Sequence, residues 1–129
     1  MCIRDSYIAS NGKVYASSRD RLAVIDGEVD HCVVRLPTDK EVSIFKKISD
    51  SGLFYGPITV QTINFNGDIF LIEINARFGG GVTASVAAGF PGIELLLFET
   101  FGIKMPHKEF KNLEMKRARR DFYRLLNGN

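Results

Sequence analysis

Three side chains that could hold a metal–phosphate group recur at every second position between Phe70 and Gly81, and three glycines follow them. The run reads Phe70-Leu71-Ile72-Glu73-Ile74-Asn75-Ala76-Arg77-Phe78-Gly79-Gly80-Gly81. Side chains alternate across a strand, so Glu73, Asn75 and, if extension persists, Arg77 point the same way. Glu73 and Asn75 offer hard oxygens suited to Mg²⁺, or Mn²⁺ in its place, and Arg77 offers a fork that matches phosphate. Gly79, Gly80 and Gly81 let backbone N–H groups approach an anion with no Cβ in the way. Glu73 sits between Ile72 and Ile74, and a carboxylate buried in such an apolar run needs a cation or several donors to offset its desolvation.

The elements that must position these groups follow from the preceding residues. Ile58-Thr59-Val60-Gln61-Thr62-Ile63-Asn64-Phe65 alternates, and Asn66-Gly67 joins it to the glutamate strand as a hairpin. Two registers fit. A two-residue turn at Asn66-Gly67 pairs Phe65 with Asp68 and mixes polar with apolar residues on both faces. A three-residue loop, with Gly67 left-handed as a bulge, pairs Asn64 with Asp68. The second register groups Ile58, Val60 and Thr62 with Phe70, Ile72 and Ile74, and groups Thr59, Gln61 and Ile63 with Leu71, Glu73 and Asn75. It separates a buried face from a chemical one and is the expected register. Gln61 then lies diagonal to Glu73, Cβ atoms roughly 7–8 Å apart at most, close enough to share one ion.

Gly56-Pro57-Ile58-Thr59-Val60-Gln61, followed by Ile72 to Gly81, resembles the end of an ATP-grasp domain, of the kind found in carbamoyl phosphate synthase and other carboxylate–amine ligases. The resemblance spans about Tyr7 to Pro106 and is specific only from Gly56 to Gly81. It implies an α+β fold, an antiparallel sheet flanked by helices, forming the C-terminal lobe of an ATP-grasp domain. It implies ATP and Mg²⁺ as cofactors, with Gln61, Glu73 and Asn75 as metal ligands. It also implies a catalytic Arg77 that steadies the transferred phosphoryl group, with Gly79 and Gly80 beside it. Ala76 stands where the family pattern usually has Pro, which leaves φ freer after Asn75 but removes no ligand. The implied reaction passes the γ-phosphoryl group of ATP to a carboxylate, and an amine or ammonia then displaces phosphate from the acyl phosphate. Such enzymes carry upstream a preceding α/β domain and a smaller lobe with phosphate-covering and adenine-gripping segments. None has a counterpart here, so the missing N-terminal part of the same enzyme is an expected partner, and the fragment is expected to be inactive alone.

Residues 1–6 have no helical or strand pattern and resemble the translated end of a transposon used in sequencing libraries. They are read as a non-native scar and excluded from fold reasoning, leaving 7–129 as the C-terminal portion of the ATP-grasp domain. The chain has 129 residues, ordinary hydrophobic content and a formal charge of +2, which suits one domain and by itself demands no polyanionic partner. Cys2 and Cys32 form no metal or redox spacing, in keeping with a cytoplasmic location. No apolar stretch approaches the roughly 20 residues of a membrane span, so no membrane partner is expected.

Tyr7 to Ser18 reads as a hairpin about Asn11-Gly12, and 21–26 and 28–36 as strands separated at Gly27. Thr38 and Glu41 form a capping box for a helix whose inward side carries Val42, Phe45, Ile48 and, loosely, Leu53, and Gly52 ends it. Residues 82–88 suit a helix, and a second runs from Pro91 to Gly102 on a stripe of Ile93, Leu96, Leu97 and Phe101. Residues 113–123 fit either a last strand or a charged helix, with alternation favouring the strand.

Plainer readings stand beside these. Gln61 could be a core amide, Arg77 could merely pair with Glu73, and the triple glycine alone is a weak signal. Arg19 and Arg21 could reach substrate, with at least one of them expected to be exposed. His31 and His107 lack matching ligands and are expected to be packed or solvated. Residues 111–124 hold six basic side chains (Lys111, Lys116, Arg117, Arg119, Arg120, Arg124) against Glu114 and Asp121, a surplus of four. Aromatic interleaving is sparse, which favours a solvated face or a contact with nucleotide or a missing domain over nucleic acid. The rival functions are a metal- or nucleotide-binding module without catalysis and a basic nucleic-acid-binding domain.

Overall fold

The computed structural model describes residues 2–118. In chain order it runs β1 (Cys2–Ile8), β2 (Val14–Ile25), β3 (Glu28–Arg35), α1 (Asp39–Asp50), β4 (Gly56–Phe65), β5 (Asp68–Asn75), α2 (Val82–Ala87), α3 (Gly92–Phe101) and β6 (Leu113–Lys116). The strands make one sheet in the order β5-β4-β1-β2-β3-β6, antiparallel at every pairing. Helices cover both faces, which is the expected α+β architecture.

Two turns explain the sharpest reversals. Asp26-Gly27 and Asn66-Gly67 each place two successive residues at positive φ, 52° and 80° in the first, 51° and 82° in the second. That is the two-residue turn whose twist matches the flanking strands, and it accounts for the Asp-Gly and Asn-Gly signals. The Asn66-Gly67 turn pairs Phe65 with Asp68, so the expected three-residue loop is wrong. The hairpin about Asn11-Gly12 forms as expected through a longer loop, closed by Ala9 N–H to the Lys13 carbonyl at 2.9 Å. Its second strand does not stop at Ser18. It continues unbroken as β2 to Ile25, because Arg19 and Asp20 pair with β3 as well.

A larger correction concerns residues 2–6, which were expected to show no strand pattern. They form most of β1, the strand between β4 and β2. Backbone pairing on both edges defines a central strand whatever its side chains, and alternation fails here because Arg4 and Ser6 are polar yet fully buried. Arg4 is held by hydrogen bonds to Glu41 and Thr62.

Glu41 is the key to the face of the sheet that α1 covers. It completes the expected capping box with Thr38, and its carboxylate also accepts from Arg4, from both terminal nitrogens of Arg35 at 2.9 Å, and from Ser18 at 2.9 Å. Arg35 reaches on to Asp20 at 2.7 and 3.0 Å. Burial pushes the Glu41 carboxyl up, but hydrogen bonds from Arg35, the Thr38 amide and Arg4 outweigh that and bring it down to about 2. Glu41 thus occupies an inward position of α1, while Val42, expected there, is half exposed. Phe45 and Ile48 do pack inward, against Ile8, Ile58 and Val60.

The opposite face is covered by α2 and α3. Cys32, Val34, Ala84 and Ala88 form one cluster, and Tyr7, Ala9 and Phe90 form another with Leu95 and Leu96 packed on it. The expected α3 stripe is shifted: Ile93 and Phe101 are exposed, and Leu95 joins Leu96 at the contact. Tyr7, Ser10 and Tyr55 all donate to Glu99, which anchors α3 to the sheet. The last strand is confirmed at Leu113–Lys116; the rest of 113–123 from residue 119 lies outside the described residues.

Candidate functional site: a glycine-lined cavity on the α2 face of the sheet

The two-residue turn alone would have put Gln61 and Glu73 out of step. A bulge restores them: Gln61 pairs with Glu73 while Thr62 pairs with Leu71, leaving Ile72 as the extra residue. Gln61 therefore lies directly opposite Glu73 instead of diagonal to it, and the two share a face. Thr59, paired with Asn75, shares it too. The groupings beyond the bulge reverse. Phe70 joins Ile63 on the chemical face, and Leu71 joins Thr62 on the other. Three expected metal ligands thus meet on one face by a different route from the one expected.

β5 is an edge strand, and this changes the argument made for Glu73. Ile72 is 53% exposed and Glu73 is exposed as well, so the carboxylate has no desolvation that demands a cation. Its placement beside Gln61 and Asn75, rather than burial, is what recommends it. Among the described residues no three His, Cys, Asp or Glu side chains gather in a metal-holding group. A cation here would rest on one carboxylate and two carboxamide oxygens, hard donors that fit Mg²⁺ and leave room for phosphate oxygens.

Extension does not persist to Arg77. The chain turns after Asn75, with the Arg77 amide donating to the Asn75 carbonyl at 2.8 Å and Thr59 Oγ1 donating to the Arg77 carbonyl at 2.7 Å. Even so, Arg77 reaches the same cavity as Gln61 and Asn75. Its guanidinium donates to the Phe78 carbonyl at 3.0 Å rather than to Glu73. The plain reading of an Arg77–Glu73 ion pair is therefore not what the structure contains.

Gly79, Gly80 and Gly81 line that cavity. A Cβ on Gly80 would meet nothing within 4 Å, so its backbone borders open space. Gly81 is different: a Cβ there would overlap the guanidinium of Arg19, which is completely buried beneath the loop. Arg21 is half buried on the cavity wall, so neither β2 arginine is exposed as one of them was expected to be. The cavity measures about 230 Å³, and its remaining wall among the described residues is Gly27, Glu28, Val29, Thr59 and Arg117. This is below the ~300–1,000 Å³ of pockets that take a whole small ligand, so it suits one end of a ligand.

Arg117 and Glu28 were not singled out as site residues. Arg117 appeared only as part of a basic run, and nothing in one sequence says that β6 pairs with β3 and carries it to the cavity. It pairs with Glu28 there. His31 contacts Glu114, and His107 lies on the wall of an apolar groove away from this cavity. Arg119, Arg120, Asp121 and Arg124 of the basic run lie outside the described residues.

Neither a protein-family model nor any curated protein sequence matches the chain. Solved structures do. The phosphoribosylaminoimidazole carboxylase ATPase subunit from Aquifex aeolicus matches with a TM-score of 0.61 at 15% identity, over 74% of this chain and 31% of that one. N5-carboxyaminoimidazole synthetase from Staphylococcus aureus, complexed with ADP, matches with a TM-score of 0.63 at 14% identity, over 89% of this chain and 33% of that one. The fold is that of the C-terminal part of an ATP-grasp domain. The chain spans about a third of the length of these ATP-grasp relatives. No helix among the described residues is long and apolar enough to cross a membrane.

Proposed function

We propose that this chain is the metal- and phosphate-binding part of an ATP-dependent carboxylate–amine or carboxylate–ammonia ligase. The observation that carries the reading is the pairing of Gln61 with Glu73 on the face that also holds Asn75 and opens on Arg77 and the glycine loop. The fold likeness supports a nucleotide ligand, and the Staphylococcus aureus relative was solved with ADP.

Gln61, Glu73 and Asn75 would hold Mg²⁺ through their oxygens. When bound, the ion offsets the charge of the β- and γ-phosphate oxygens. Arg77 orients the migrating phosphoryl group by paired N–H donors. Thr59, by fixing the Arg77 carbonyl, sets where that side chain leaves the backbone. Gly80 offers unobstructed backbone to a phosphate oxygen. The carboxylate attacks the γ-phosphorus, ADP leaves and an acyl phosphate forms; the amine nitrogen then attacks the carbonyl, phosphate departs and an amide remains. Grip on the adenine comes from a further part of the same enzyme.

The test is magnetic. With ADP present, Mn²⁺ should broaden the side-chain amide signals of Gln61 and Asn75 in an NMR spectrum of the chain, and Glu73→Gln should abolish the effect. Broadening that spares both amides would overturn the ligand set.

A further inference from the structure

A second concave space, an apolar groove, shares no lining residue with the glycine-lined cavity. It measures about 560 Å³, inside the ~300–1,000 Å³ range of pockets that enclose a whole small molecule. Tyr15 of β2 borders it, and Arg21 of the same strand borders the other cavity. About 20 Å of extended chain lies between those two residues.

The groove is formed by the fold itself. Phe90, Leu95, Phe98, Met105 and Phe110 supply apolar wall. Part of that wall comes from the segment between α3 and β6, which is irregular but pinned: the Lys111 amide donates to the Ala88 carbonyl at 2.7 Å. Gly89, at a φ of 103°, allows the close approach, since a Cβ there would stand 2.7 Å from the Glu109 carbonyl oxygen. Leu36, Phe98 and Met105 all line the groove, and each is about half exposed. Apolar surface gathered in a concave, open place marks a binding site.

One charge on this wall lacks an answer. Glu94, in the first turn of α3, lines the groove, and its Oε2 is shielded from water and meets no hydrogen-bond donor among the described residues. A carboxylate oxygen left in that state is costly, and the helix N-terminus offsets only part of its charge. Glu99 on the same helix shows the contrast, accepting from Tyr7, Ser10 and Tyr55. Lys104 and His107 also border the groove, but both are exposed and neither donates to Glu94 Oε2. A cation held beside Glu94 between apolar walls is screened far less than in water, so its attraction to the carboxylate is correspondingly greater.

We infer that this groove binds a small molecule carrying a protonated amine on an apolar, aromatic or alkyl body, with the ammonium beside Glu94 and the body against Phe90, Leu95 and Phe98. The inference does not rest on the ligase reading.

The experiment is a calorimetric titration of the chain with 4-phenylbutylamine, 4-phenylbutanol and 4-phenylbutyrate, which share one body and differ in the head group. The amine should bind at least tenfold more tightly than the alcohol, and the acid more weakly than either. Glu94→Gln should bring the amine down to the affinity of the alcohol and leave the alcohol unchanged. Lys104→Gln, an exposed change that threatens no core contact, should tighten the amine severalfold and leave the alcohol unchanged, and it decides the matter if the Glu94 variant does not fold. Phe98→Ser should weaken amine and alcohol alike. Equal affinity for the three compounds, tightest binding of the acid, or an amine preference that survives Glu94→Gln overturns the site, as does an amine affinity indifferent to Lys104→Gln.

Discussion

The two faces of the sheet carry similar charged residues and use them in opposite ways. On the α1 face, Arg4, Arg35, Asp20 and Glu41 spend their charges on one another; Glu41 accepts from two arginines, a serine and a backbone amide. On the α2 face, Glu73 is exposed, Arg77 caps its own loop, and Gln61 and Asn75 turn toward a cavity. Charge within a strand is thus no sign of function by itself. Internal pairing marks structure, and convergence on open space marks a site.

If that contrast holds, the largest effect should come from the α1 face. Glu41→Gln leaves the buried Arg4 guanidinium, and the partly buried Arg35 beside it, short of their shared carboxylate, and removing one partner of a buried pair costs about 3–5 kcal/mol. Urea unfolding followed by circular dichroism should show a loss of that size; a loss below about 1 kcal/mol would dissolve the contrast. Acid should act through the same group. The Glu41 carboxyl titrates at about 2 in the folded chain against 4.5 for the unconstrained group. Because the folded value is the lower one, its stabilisation is complete above pH 4.5 and is lost as pH falls toward 2. The depression corresponds to about 3 kcal/mol. Measured between pH 5 and 2, the stability of the native chain should fall by that order, and the Glu41→Gln variant should lack this component.

A third prediction moves to the boundary between the faces. Gly81→Ala drives a methyl into the buried Arg19 guanidinium, and such overpacking costs about 1–3 kcal/mol. Gly80→Ala, facing open space, should cost far less. Thermal unfolding of the two variants side by side checks this; equal losses would mean that the loop does not rest on Arg19.

How much of this could be read from residues alone differs between the faces. Glu73, Asn75, Arg77 and Gln61 were legible because alternation fixes direction over a few residues, and that depends only on the chain's own geometry. The register was misjudged because two devices give the same facing: a longer loop, or a tight turn followed by a bulge at Ile72. Local sequence does not distinguish them. The capping box of Thr38 and Glu41 was legible for the same local reason. The second duty of Glu41 was not, since it depends on Arg4, 37 positions away, in a segment whose side chains show no strand alternation. Arg117 escaped for a like reason, carried to the cavity by pairing between β3 and β6. Contacts set by long-range pairing leave no trace in spacing.

The smallest expected effect on stability is also the sharpest comparison. Glu41 and Glu73 are both strand- or helix-borne carboxylates facing the sheet's chemistry, but only Glu41 is enclosed by donors. Glu73 is exposed on an edge strand, so Glu73→Gln should change unfolding free energy by no more than about 0.5 kcal/mol. The same substitution removes the one carboxylate of the proposed ligand set, so Mn²⁺-dependent broadening at Gln61 and Asn75 should vanish. Glu41→Gln, compared below its unfolding transition, should do the reverse and leave the broadening intact. A chain in which Glu73→Gln costs several kcal/mol while metal binding persists would place Glu73 among the structural charges, and the edge of the sheet would then differ from its centre only in exposure.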